Sequence, residues 1–563
     1  THHPVPSPCG TYIAALAGPR LQIRDTASLD IIRAVSIRPE PAAKSAPIIR
    51  WAPPETTSSK SARSASGARS HRLLHASSDH IRVYDLADRD WSAAINNGSG
   101  GMGKIVGAEF GRNGNEVLVW NDFGAKLTVW DLRTGRSVEI RDPKVWGNVR
   151  DGGRGWGWRP GSGVGDGGGE GVFALLSRPG PLDVVTLHCK GSYRVLKTVV
   201  VATQDALGLR WSADGMWFAV WDAPSAGTRV CVYTADGHLY RTYGGELDDG
   251  VRGLGVKSVE WSPRGDFMAV GGFDQRVALL STRTFAPTVF LDHTSIVQLP
   301  EGNIWQESVS ATSARSYGIA AQPVNPPTAT RSPSEPISKM GISVIAFNAD
   351  GTLIVTRDDA MPTSVWLWDL TRLTARTVLI QHAPIKSLSW HPSNPHLLLI
   401  QCVHEEPIIY LWDATKDEPQ IIGVPLEKTA GGLKLDARWL SIKGASDEDG
   451  KPGLVCSDAA HGFLTVWPHG KREDDESEEE EEQQQEDDGS VDSRPATPGG
   501  SVNDSEDSLY NILTGRTPLP ELEDSTTRRF EESEEEEGSE RLEDTFRGKH
   551  AHLDEPLRDS ECF

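Results

Sequence analysis

One recurring unit constrains this chain more than any other feature. A short strand of alternating apolar residues ends in an aromatic, and a turn rich in Pro, Gly and Asp follows. The unit reads Trp51-Ala-Pro-Pro, Phe110-Gly-Arg-Asn-Gly114, Trp158-Arg-Pro-Gly and Trp211-Ser-Ala-Asp-Gly215. It continues as Trp261-Ser-Pro-Arg-Gly265, Phe347-Asn-Ala-Asp-Gly351 and Trp390-His-Pro-Ser-Asn394, with a weaker copy at Trp439 and a truncated one at Pro6-Ser-Pro-Cys-Gly10. That makes nine copies. Most spacings fall between 43 and 59 residues, with one of 86 across a Pro/Ser-rich insertion. A fixed period of this size marks a repeat architecture, in which each unit must stack on its neighbours to bury its apolar face.

Each copy continues alike. A second apolar strand follows the turn, as in Phe218-Ala-Val220 or Phe267-Met-Ala-Val270. Then comes a loop, often with Asp (Asp79, Asp122, Asp274, Asp458), and a third strand closes on Trp130-Asp131, Trp368-Asp369, Trp412-Asp413 or, without the Asp, Trp467. Period-two alternation with turns about every 8–12 residues means strands, four to a unit. A four-stranded unit of this period that closes on Trp-Asp is the blade of a WD β-propeller, so the fold class is all-β. Leftover blades could not hide their faces, so nine units predict one closed ring; seven or eight blades remain as alternatives. The strand-end Trp is expected to fill the space between blades, and a loop Asp such as Asp274 to fix a tight turn. His382, ahead of the strand that ends in Trp390, is read as the turn histidine bonded to such an Asp.

Charge divides the chain. Residues 471–563 carry 32 acidic and 10 basic residues, whereas residues 1–470 carry 47 of each sign. All 18 Trp lie at or before Trp467. The reading is therefore a propeller over 1–470 and a disordered acidic tail over 471–563, which cannot bury enough apolar surface to offset chain entropy. Three insertions are expected to leave the ring as solvated loops, at 55–72, 147–171 and 292–340. The last holds the apolar-aromatic island Ser316-Tyr317-Gly318-Ile319, expected to dock on a partner or on its own ring, and Tyr317 and Ile319 are candidate partner contacts. Ser332, Thr497 and Thr517, each followed by Pro, are candidate sites of proline-directed phosphorylation, and Ser477 and Ser533 precede Glu runs that suit an acid-directed kinase.

The chemistry that is missing matters as well. Gly161-Ser-Gly-Val-Gly-Asp-Gly-Gly-Gly has no Gly-Lys-Ser/Thr ending, so it is not a phosphate loop. No Gly-x-Ser-x-Gly elbow or His-Glu-x-x-His occurs. The six cysteines (Cys9, Cys189, Cys231, Cys402, Cys456, Cys562) form no close pair, which argues against a zinc cluster or a disulfide framework and suits a reducing compartment. No apolar run approaches the roughly 20 residues that span a bilayer. The basic stretch at Lys60, Arg63, Arg69 and Arg72 is too short for a nucleic-acid footprint. The expectation is a non-catalytic protein-binding platform, with no cofactor, metal, nucleic acid, membrane or small-molecule substrate.

Three stretches go beyond generic repeats. They run from Thr203-Gln-Asp-Ala-Leu-Gly-Leu-Arg-Trp211 to Ala219-Val-Trp-Asp222, from Gly255-Val-Lys-Ser-Val-Glu-Trp-Ser-Pro263 to Ala269-Val-Gly-Gly272, and from Gly341-Ile-Ser-Val-Ile-Ala-Phe347 to Ser364-Val-Trp-Leu-Trp-Asp-Leu370. Their order, with a long insertion before the third, resembles the family of WD-repeat-containing protein eight, the centrosome and spindle-pole WD-repeat protein. The resemblance implies a subunit of microtubule-organising centres, located in the cytoskeleton at the spindle pole body or centrosome. It implies a coiled-coil microtubule-anchoring protein as partner, in fission yeast also a minus-end-directed kinesin, and a role in holding microtubule minus ends. No partner-contact motif carries over to particular residues, and the acidic tail departs from the family pattern.

Two other classes stay open. Trp130-Asp131-Leu132-Arg133 matches the Trp-Asp-x-Arg pattern of substrate receptors of cullin-type ubiquitin ligases, although a strand end followed by a turn Arg reads the same way. A translation-initiation scaffold is the third, since some large initiation-factor propellers have nine blades.

Overall fold

The computed structural model describes residues 3–37, 47–54, 71–96, 103–144 (save 123 and 125), 154–161, 171–244, 253–329, 340–426, 434–440, 452–458 and 462–470. By its internal contacts the chain separates into Thr1–Asp474 and Asp475–Phe563, and every described residue belongs to the first unit. The tail expected from residue 471, with Thr497, Thr517, Ser477 and Ser533, lies outside the described residues, as does Ser332.

The described strands form nine sheets, one per repeat, in sequence order, antiparallel throughout except for one parallel pair in the seventh. They are blades 1 to 9, spanning 5–36, 48–96, 105–141, 156–200, 206–244, 256–292, 342–380, 385–423 and 436–466. The chain is a nine-bladed β-propeller, as the repeat count predicts. Eight blades have at least four strands, and blade 9 has three among the described residues. The turn after each innermost strand explains its own sequence signature. Gly10, Gly215, Gly265 and Gly351 stand at the same place in four repeats with φ of 72°, 68°, 76° and 69°, a conformation that favours glycine.

Apolar alternation puts one face of each strand into an interface with the next blade, and the core follows that pattern. It divides into nine clusters of buried residues, each shared by two neighbouring blades. The interface of blades 6 and 7 is the largest, with sixteen buried hydrophobics. The seam between blades 9 and 1 is the smallest, with only Ile13, Leu440 and Val455 fully inside, flanked by Leu29, Phe463 and Trp467. His3 helps close that seam, its Nδ1 lying 3.0 Å from Ser457 Oγ.

The aromatic that ends each innermost strand also ties the blades together. Its indole N–H donates to a main-chain carbonyl on or beside the innermost strand of the preceding blade in five repeats. These are Trp51 to Val5 (2.8 Å), Trp211 to Gly157 (3.2 Å), Trp261 to Arg210 (3.3 Å), Trp390 to Ala346 (2.9 Å) and Trp439 to Ser389 (2.9 Å). Phe110 and Phe347 keep the packing without the bond. A second regularity appears in blades 5 to 8. Their innermost strands skip one residue in pairing, at Leu207, Lys257, Ser343 and Lys386. Such bulges re-aim a side chain, and here Lys257 and Lys386 reach Asp359 and the Leu435 carbonyl of the next blade.

Two expected insertions need correction. Residues 156–158, inside the expected 147–171 loop, are the innermost strand of blade 4, where Trp156 stacks on Trp120 of blade 3. Arg72, at the end of the expected 55–72 loop, begins a strand of blade 2.

Candidate interaction surface

The Trp-Asp pairs are structural, as their positions imply. Asp131 Oδ1 accepts the Arg133 N–H at 2.8 Å, Asp369 Oδ1 the Thr371 N–H at 2.8 Å, and Asp413 Oδ1 the Thr415 N–H at 2.9 Å. Each carboxylate thereby closes the turn between the third and fourth strands, and the Arg133 N–H holds the Asp131 carboxyl below the usual range. Trp412 is fully buried and Trp130 half-buried between blades 2 and 3, while Trp467 covers Gly453 at the closing seam.

His382 does not occupy the role read for it. Its side chain is exposed, and its main-chain N–H donates to Glu307. Asp274 lies exposed in its turn, and no histidine bonds to it among the described residues. The buried histidine that serves blade 7 is His293, which directly follows the outer strand Pro287–Asp292 of blade 6. Its Nδ1–H donates to the Gln275 carbonyl (3.2 Å), and its Nε2 lies 2.7 Å from Thr356 Oγ1, which also accepts the Trp368 indole N–H at 2.8 Å. The long insertion separates this histidine from the strand that it serves. The signal was there in Leu291-Asp292-His293, immediately after an outer strand.

The 292–340 insertion is not a solvated loop throughout. Asn303–Val309 and Arg315–Ile319 form a hairpin, and the first strand pairs in parallel with the outer strand Thr374–Ile380 of blade 7. The sheet of blade 7 thus gains two strands. Glu307 anchors them against blade 8: its buried carboxylate accepts Arg315 Nη1 (2.8 Å), the Tyr410 hydroxyl (2.8 Å) and the His382 N–H (2.8 Å), and Arg315 Nε reaches Glu406 at 2.7 Å. A charge that looks like a solvent residue in sequence is the centre of this docking.

The hairpin separates the two candidate contacts. The Tyr317 hydroxyl donates to Gln381 Oε1 at 2.6 Å, and its ring meets Tyr410 edge-on at 6.2 Å, so the protein itself uses this side chain. Ile319 is 62% exposed, on a strand held by pairing to Trp305. The arrangement offers a rigid apolar anchor outside the ring. Among the described residues no group of three or more His, Cys, Asp and Glu side chains is placed to hold a metal ion. Arg133 lines a cavity of about 230 Å³ between blades 2 and 3, beside Arg72 and Asp85.

A family profile described as WD domain, G-beta repeat matches residues 229–279, the outer half of blade 5 and most of blade 6. The WD repeat-containing protein WRAP73 of Mus musculus is 26% identical over 431 residues, 72% of this chain and 83% of that protein. An uncharacterised WD repeat-containing protein of Schizosaccharomyces pombe is 26% identical over 482 residues, 81% of this chain and 88% of its own length. Among solved structures, that of a eukaryotic initiation factor covers 75% of this chain and 87% of its own, at 11% identity and a TM-score of 0.46. The C-terminal WD40 domain of Sif2 covers 74% of this chain and 93% of its own, at 11% identity and a TM-score of 0.40.

Proposed function

Taking the chain as a WD-repeat β-propeller protein similar in sequence to WRAP73, we propose that it is a non-catalytic scaffold of the microtubule-organising centre. It joins a coiled-coil anchoring protein, and with it a minus-end-directed kinesin, to hold microtubule minus ends at the spindle pole or centrosome. The resemblance of residues 203–222, 255–272 and 341–370 to the family of WD-repeat-containing protein eight supports the setting. The observation that carries the binding role is the anchored hairpin. It holds Ile319 exposed on paired backbone, so a helix or an extended segment docks there with little ordering cost.

A tagged full chain, captured from dividing cells and read by mass spectrometry, should bring down a coiled-coil pole component. Ile319→Asp should reduce that capture several-fold with unchanged melting. Even spread through mitotic cells, with no pole component captured, would overturn the setting. Capture of cullin-ligase adaptors or of ribosomal proteins instead would redirect the reading to those classes. Normal capture by Ile319→Asp would overturn only the hairpin's part.

A further inference from the structure

The outer strands of blades 3 and 4, Ser137–Arg141 and Val195–Val200, diverge over a groove of about 300 Å³, room for one aromatic side chain. Its walls are apolar at Ile140, Pro179, Val184 and Val195, and Val195 is 49% exposed beside it. The polar groups of the same wall are mostly engaged. His188 Nδ1–H donates to the Tyr193 carbonyl at 2.8 Å, and its Nε2 lies 2.8 Å from Thr186 Oγ1. Ser177 is the exception. It is 3% exposed, lines the groove, and its hydroxyl has no hydrogen-bond partner among the described residues. A buried hydroxyl left unpaired is costly, so a site of this kind favours a ligand that brings a polar atom to it.

The rim carries a sign. Arg141 lines the groove, and Arg194 stands between the lining residues Tyr193 and Val195. Both are exposed, and neither makes an ion pair among the described residues. Glu139, the one acidic residue of the lining, is already paired with Lys126. Among the described residues the groove therefore combines an apolar body, one unpaired hydroxyl inside and two unpaired cations outside.

We infer that this groove binds a tyrosine of an acidic segment in a partner protein. The ring lies among Ile140, Val184 and Val195, the phenol hydroxyl bonds Ser177, and flanking Asp or Glu side chains meet Arg141 and Arg194. Tyrosine fits because it joins a large apolar face to a polar tip. Phenylalanine would leave Ser177 unpaired. The site lies on blades 3 and 4, apart from the hairpin, and stands or falls independently of the spindle-pole reading.

The test uses the full chain and two fluorescein-labelled peptides, nine residues of Asp and Glu around a central tyrosine or a central phenylalanine. Anisotropy titration should give the tyrosine peptide an advantage of about 3- to 10-fold, the range of one hydrogen bond. Ser177→Ala should erase that advantage, while Val195→Asp and Arg141→Glu should weaken both peptides. Melting of each variant should match the parent, which separates lost binding from lost fold. Equal binding of the two peptides to the parent, or an advantage that survives Ser177→Ala, would overturn the assignment. Absence of binding by either peptide would overturn it as well.

Discussion

His293 of blade 6 and Thr356 of blade 7 meet across the interface of their blades, with Nε2 2.7 Å from Oγ1. The hydrogen bonds around them run in one direction. The Trp368 N–H donates to the threonine oxygen, the threonine hydroxyl donates to Nε2, and Nδ1–H donates to the Gln275 carbonyl. Only a neutral imidazole satisfies this chain, and burial pushes the His293 pKa down to about 4.

That depression makes the ring acid-sensitive. In the unfolded chain the imidazole titrates near its ordinary value of about 6.5. Between there and about 4 the unfolded state binds the proton and the folded state does not, so stability falls as pH drops. The contribution is fully present above about 6.5 and is lost at no more than about 1.4 kcal/mol per pH unit. His293→Gln should melt lower than the parent at pH 7, and the gap should narrow steadily on going to pH 4.5. A gap of constant size across that range would refute the neutral-histidine account.

The hairpin should depend on its buried ion pair. Glu307→Ala leaves the Arg315 guanidinium, 9% exposed, without its main partner. Breaking a buried pair from one side costs about 3–5 kcal/mol. The expected result is a lower melting temperature, together with new proteolytic cleavage within 303–319. Cleavage elsewhere first would mean that Glu307 supports the ring rather than the hairpin.

The indole latches should be separable from indole packing. Trp390→Phe removes the N–H bond to Ala346 at 2.9 Å while keeping an aromatic ring, as Phe347 does naturally one blade earlier. It should cost about 1 kcal/mol in denaturant unfolding, against about 3–5 kcal/mol for Trp390→Ala. Equal costs would show that the N–H bond, and not the packing of the ring, carries this position.

The seam between blades 9 and 1 should open first. Cys456 lies in the middle strand of blade 9, fully buried, and burial raises its thiol pKa to about 12. Cys231, in blade 5, is likewise buried and raised to about 11. In the native protein iodoacetamide should modify Cys189, which is partly exposed, and spare Cys231 and Cys456. Val455→Asp places a charge in the three-residue core of the seam, which should loosen blade 9 as a whole and expose Cys456, packed on its other face against blade 8, while Cys231 stays protected. Simultaneous exposure of both would mean that the ring unfolds as one unit.

Much of this molecule is local in its encoding, and that part is readable from the chain. Several of the nine turns declare themselves because a glycine that takes positive φ stands four residues after the strand-end aromatic, as at Gly215, Gly265 and Gly351. The alternating strands declare four-stranded blades, and nine of them leave no edge that a smaller ring could hide. The Asp of Trp-Asp likewise bonds its own turn, two residues on, at Asp131, Asp369 and Asp413. Tertiary structure alone decided the rest, because the partners are far apart in sequence. Which histidine is buried depends on Thr356, 63 residues from His293. Whether residues 303–319 float or dock depends on Tyr410, 103 residues from Glu307. The unpaired Ser177 is visible only once blades 3 and 4 diverge around it. Periodicity and turn chemistry act within a few residues, whereas desolvation, which selects among polar side chains, acts on whatever the closed ring brings together.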